Sequence, residues 1–168
     1  MTLRGSASIK DRVLASLPYA FPMIEALPFG LAVISLFPFL QVLLLPLLPF
    51  LQVYGLLNSL LAGYGGFVIF FALYMLVVRN NNINHFIRFH TMNALIIGIA
   101  ASLIMTLLQL LGYSRSLGAP LPLPLSILAS TIFLGVFASS LYSIVVAWLG
   151  KYAEIPFLSD AAYSQTRY

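Results

Sequence analysis

A chain of 168 residues that is 61% hydrophobic and 7% charged, with a net charge of +4, has the composition of a membrane protein; an ordinary soluble domain carries roughly a quarter charged residues. This length leaves no room for a soluble domain beside several membrane spans, so residues 1–168 are expected to form one membrane domain. Basic residues flanking spans account for the positive balance, and nucleic acid is not an expected partner. With no cysteine there is no disulfide framework, no thiolate metal site and no cysteine nucleophile.

At the amino terminus no uninterrupted apolar segment of signal-peptide type precedes Pro18, which predicts mature sequence inserted through its own spans. Ser8 followed by Asp11 reads as a capping box, and Ile9, Val13 and Leu17 recur at a spacing of four, predicting a short amphipathic helix over 8–17 on the membrane surface. Pro18, Pro22 and Pro28 are expected to break the segment that follows, and Glu25 to hold it near the interface.

Residues 26–78, 89–114 and 116–150 contain no Asp, Glu, Lys or Arg. A span needs about 20 apolar residues, which predicts an all-α, polytopic protein with four transmembrane helices near 31–50, 61–79, 89–112 and 122–149. Pro38, Pro46 and Pro49 make the first irregular. Tyr54, Gly55, Asn58 and the glycines between 63 and 66 mark a turn, and Pro120, Pro122 and Pro124 cluster at the start of the fourth span. Trp148 and Tyr152 anchor the end of that span ahead of a tail over 150–168.

Four spans place Arg4, Lys10, Arg12, Arg79, Arg88, Lys151 and Arg167 on one side and Arg115 alone on the other. By the positive-inside rule both termini and the 79–88 hinge should face the cytoplasm or the plastid stroma.

Within the expected spans the only ionisable group is a histidine at the start of the third, an arrangement that speaks against an enzyme and against an ion-coupled carrier. His85 and His90, five residues apart, point about 140° from each other around a helix, so one helical face cannot chelate an ion with both. The plain reading has both at the interface, bonded to headgroups, water or loop carbonyls, with His90 kept as the candidate axial ligand of a pigment. Asn80, Asn81, Asn82 and Asn84 suit a tight turn. Asn93, one turn inside the third span, should bond across to another helix, because an unpaired buried amide is costly.

Two stripes of small residues complete the pattern. Ala94, Gly98, Ser102 and Thr106 run along the third span, and Thr131, Gly135, Ser139, Ser143 and Ala147 along the fourth. Such spacing favours close helix packing, within the chain or onto a partner. Its alternative, a mildly polar wall of a passage, would require several subunits.

Three stretches, "DRVLASLPYAFPMIEALPFG" (11–30), "VVRNNNINHFIRFHTMNALII" (77–97) and "GKYAEIPFLSDAAYSQTR" (150–167), together resemble a known family. It is the twenty-kilodalton subunit family of the translocon at the inner envelope membrane of chloroplasts (TIC), with cyanobacterial and plastid-encoded relatives. Arg79, Asn80, Arg88, Phe89, Thr91, Met92 and Ala94 match its central motif, and Glu154, Pro156, Ser159, Asp160 and Tyr163 match its tail. His90 and Asn93 depart from it, standing where asparagine and glutamine are more usual.

The resemblance implies a four-helix membrane protein with both termini stromal or cytoplasmic, a part in preprotein import and no catalytic residues. It points to the plastid inner envelope or to a cyanobacterial plasma or thylakoid membrane. Expected partners are lipid, other membrane-complex subunits and translocating polypeptides, with no cofactor beyond a pigment on His90. In the hinge, Arg88 should turn to headgroups or to Glu154 or Asp160. A second reading, a structural or assembly subunit of a larger complex such as a photosystem, shares the same fold, as does a small-solute channel.

Overall fold

A computed structural model describes residues 7–110, 123–155 and 158–166, without the side chains of Ala32 and Leu158. The helices are α1 (Ile9–Gly30), α2 (Leu31–Leu36), α3 (Leu40–Leu60), α4 (Gly65–Val78), α5 (His85–Leu110), α6 (Leu123–Trp148) and α7 (Leu158–Thr166). No strand occurs among the described residues, and four helices, α1, α3, α5 and α6, are long and apolar enough to cross a membrane. Arg4, Arg115, Pro120, Pro122, Pro156 and Arg167 lie outside the described residues.

Ser8 does cap α1: its hydroxyl accepts the Asp11 N–H at 3.2 Å, and the Asp11 carboxylate accepts the Ser8 N–H at 3.0 Å. The helix does not end at Leu17, however. Pro18 and Pro28 open short 3-10 turns, where a missing N–H leaves no bond unmade, so the prolines tighten α1 without breaking it. The expected surface helix is therefore continuous with a buried one: over Ile9–Ser16 only Ala15 is buried, whereas Tyr19, Ala26 and Phe29 beyond it are fully enclosed.

Contacts fix its direction. Asp11 meets Asn84 and Phe21 meets Gly98, so α1 runs parallel to α5; Arg12 meets Trp148 and Gly30 meets Phe133, so it runs antiparallel to α6. The approaches are tight, for a Cβ on Gly98 would lie 2.9 Å from the Phe21 ring and one on Gly30 2.5 Å from the Phe133 ring.

A span over 31–50 is not what forms. Phe37, held out of the helical region by Pro38, has φ −125° and ψ 78° and separates α2 from α3. Leu47 of α3 packs in the cluster of Phe29, Met105, Leu108 and Ala129, and Tyr54 bonds Glu25 in the last part of α1. A turn over Leu61–Tyr64, with Ala62 at φ 50° and Gly63 at φ 92°, then brings Gly65 back to the Asn58 side chain. From there α4 descends to Val78 beside Arg88. Thus α1, α5 and α6 run between the two ends of the bundle, α3 packs on the half of α1 remote from Arg12, and the shorter α4 returns from there to the end that holds Arg88. Within the expected tail, α7 folds back against the start of α5.

Candidate functional site at the charged end of the bundle

Lys10, Arg12, Arg79, Arg88 and Lys151 gather at one end, where α1 and α5 begin and α4 and α6 finish. The finish of α6 is built around Gly150 at φ 72°. Gly150 N–H donates to the Ala147 carbonyl at 2.9 Å and Lys151 N–H to the Val146 carbonyl at 3.0 Å, a paired bonding that closes helices on a left-handed glycine. Arg12 covers this turn, donating to the carbonyls of Trp148 at 3.0 Å and Ala7 at 3.2 Å, a cation on the negative end of a helix.

The turn aims the Lys151 carbonyl inward, onto His90 Nε2 at 3.1 Å. Because a carbonyl only accepts, Nε2 carries the proton and Nδ1 is bare. Tyr19 O–H donates to that Nδ1 at 2.9 Å, and Asn93 Nδ2 donates to the Tyr19 oxygen at 3.2 Å. One directed chain of hydrogen bonds therefore joins α5, α1 and the segment after α6, with Tyr19, His90 and Asn93 all 0% exposed.

His90 bonds a loop carbonyl, as expected, but it is not open to headgroups or bulk water, because α1 and the Lys151 turn enclose it. Nor can it serve as an axial pigment ligand in this arrangement, since both ring nitrogens are already bonded to protein. His85 is the exposed one, with Nδ1 3.2 Å from the Tyr152 hydroxyl. Arg88 is likewise buried and not turned to headgroups: its Nε donates at 2.8 Å to the Val78 carbonyl, where α4 ends in a π turn.

The remaining central-motif and tail residues divide between this end's core and its surface. Phe89, fully buried, packs its ring 4.5 Å from that of Tyr163 and 5.0 Å from that of Tyr152, centroid to centroid. Met92 and Ala162 join the same cluster, Thr91 bonds the Ile87 carbonyl, and buried Ser159 bonds the Ile155 carbonyl. Asn80 accepts the Asn82 N–H, while Arg79, Glu154 and Asp160 are exposed.

Of the small-residue stripes, Ala94 and Gly98 on α5 and Ser143 and Ala147 on α6 are buried. Ser102, Thr106, Thr131 and Gly135 face outward, and nothing lies within 4 Å of a Cβ built on Gly135. Ser102, Thr106, Thr131, Ser139 and Ser143 all donate to carbonyls of their own helices, so their hydroxyl protons are engaged within the helix.

Sequence reasoning missed Tyr19, whose signal was a tyrosine bracketed by Pro18 and Pro22. Glu25 lies in α1, a helix long and apolar enough to cross a membrane that falls outside the expected spans, and its carboxylate accepts the Tyr54 hydroxyl at 2.6 Å. Gly66 of α4 makes the space, because a Cβ there would lie 2.6 Å from the carboxylate and 3.0 Å from the Tyr54 hydroxyl.

The helices and this enclosed polar end define an all-α polytopic membrane protein held together at one end by its most polar residues. Residues 8–162 match the family model described as chloroplast import apparatus Tic20-like. A Tic20 family protein of Synechocystis sp. is 42% identical over 168 residues, covering all of both chains. Protein TIC 20-v, chloroplastic, of Arabidopsis thaliana is 29% identical over 95% of this chain and 73% of its own length. The Tic20 family protein Ycf60 of Cyanidium caldarium is 32% identical over 95% and 75%. The chain belongs to the Tic20 family.

Proposed function

We propose that this chain is a non-enzymatic, multi-pass translocon subunit that aids the movement of polypeptides across or into a membrane by packing with partner subunits. The match to an import-apparatus family over residues 8–162 carries this reading. The hydroxyls bonded back onto their own helices support a division of labour: with the hydroxyl protons of Ser102, Thr106 and Thr131 spent within α5 and α6, any aqueous path is shared with other subunits or copies. The apolar faces of α3 and α6, with Val42, Val53, Leu134 and Val145 all more than half exposed, are the surfaces such partners or lipid would cover.

In this proposal the charged end faces the cytoplasm or stroma, and both termini with it. Since the chain has no cysteine, a single Asn81→Cys reports this cleanly: a membrane-impermeant maleimide should label it only after the cytoplasmic face is opened. Labelling of intact cells would reverse the orientation. The partner reading is tested by gentle detergent purification from the native membrane, with mass spectrometry and an absorption spectrum of the same fraction. Co-purified translocation components or precursor chains without pigment support a translocon subunit, whereas stoichiometric photosystem subunits with chlorophyll would establish the assembly-subunit reading instead.

A further inference from the structure

A groove of about 870 Å³ runs between α1, α4 and α5 and is roofed at its far end by Phe50 and Val53 of α3. Leu14, Leu17 and Ile24 line one wall and Leu73 and Val77 the other. Two of its polar residues are already satisfied, Thr91 by the Ile87 carbonyl and Tyr54 by Glu25. The others, Asp11, Asn82 and Asn84, collect at the charged end.

We propose that this groove binds one membrane lipid with an uncharged, hydroxyl-bearing headgroup, its acyl chain between α1 and α4 and its headgroup on Asp11, Asn82 and Asn84. Size argues for lipid over a polypeptide helix. A helix about 10 Å across rises 5.4 Å per turn, so the groove holds about two turns, far short of the roughly 20 residues of a span. Depth agrees. From Asp11 to Ile24 at 1.5 Å per residue is about 20 Å, two-thirds of a hydrocarbon core about 30 Å thick, so the groove opens at one interface and closes before the other.

The mouth selects the headgroup. Asp11 Oδ2 accepts from Ser8 and from the Asn84 amide, so Oδ1 remains to accept from a hydroxyl, and the Asn82 side-chain amide makes no bond among the described residues. No cation is among the lining residues, and Arg12 is turned to the Ala7 and Trp148 carbonyls. An anionic phosphate would face the carboxylate without a counter-charge, whereas sugar hydroxyls both donate to Asp11 and accept from Asn82.

Native mass spectrometry of the full detergent-purified chain, titrated with a monoglycosyl diacylglycerol, phosphatidylglycerol and phosphatidylcholine of matched acyl chains, tests this. The glycosyl lipid should be retained at one per chain, about tenfold more tightly than either phospholipid. Leu14→Trp, at a half-exposed position whose enlargement fills the groove, should weaken retention about tenfold. Asn82→Ala, which removes no bond within the described protein, should weaken the glycosyl lipid alone. Equal retention of the three lipids, unchanged retention by Leu14→Trp in a protein of native stability, or one-for-one displacement by a polyleucine helix would overturn the proposal.

Discussion

The two ends of the bundle treat polar side chains in opposite ways. Where Arg12, His90 and Lys151 meet, polar groups bond across elements distant in the chain, and Tyr19, His90 and Asn93 among them are buried. Toward the far end, Ser102, Thr106 and Thr131 bond carbonyls of their own helices, while α3 is scarcely buried. Polarity in this membrane chain specifies structure at one end. At the other it is hidden, and apolar surface is left for lipid or partners.

Substitutions should divide along the same line. Tyr19→Phe is expected to cost most, because it leaves both His90 Nδ1 and Asn93 Nδ2 without a partner. At about 1–3 kcal/mol for each orphaned buried group, the loss is roughly 2–6 kcal/mol, read as a large fall in the thermal denaturation midpoint in detergent. Next, Gly98→Leu drives bulk into Phe21 and should cost about 1–3 kcal/mol, whereas Gly98→Ala should cost clearly less in the same assay. Gly150→Ala should cost about 1 kcal/mol for a left-handed residue and should weaken the Arg12 cover.

The smallest effect belongs to the far end. Gly135→Leu meets open space, so the isolated chain should stay within about 0.5 kcal/mol of wild type; loss of partners on native purification without loss of stability would mark that face as an interface. If Gly135→Leu unfolded the isolated chain as severely as Tyr19→Phe, the contrast between the ends would collapse.

Much of the fold was legible in composition and spacing. Charge-free runs located α4, α5 and α6, though not α1, which carries Lys10, Asp11, Arg12 and Glu25, and the Ser8–Asp11 cap is present as spaced. Three short motifs named the family. Less legible was anything decided by contacts across long separations. Proline count alone could not show that Pro18 and Pro28 would sit in 3-10 turns and leave α1 running, because that depends on α5 and α6 enclosing it. Periodicity likewise made the stripes look uniform along α5 and α6. Only the crossing of α1 decides that Gly98 is filled by Phe21 and Gly135 is not. His90 looked like an interface residue because both of its partners, Tyr19 and Lys151, are more than sixty residues away.

That last separation bears on how the chain is assembled. His90 receives its first partner from a helix made long before it, and its second from a carbonyl that exists only after α6 is complete and Gly150 has turned. Until then its Nε2 proton faces the interior with nothing to hold. Closure of the bundle is thus a late event in biosynthesis, and a product cut short before residue 151 carries, deep within it, an unmet polar group that quality-control machinery in the membrane could read as incompleteness.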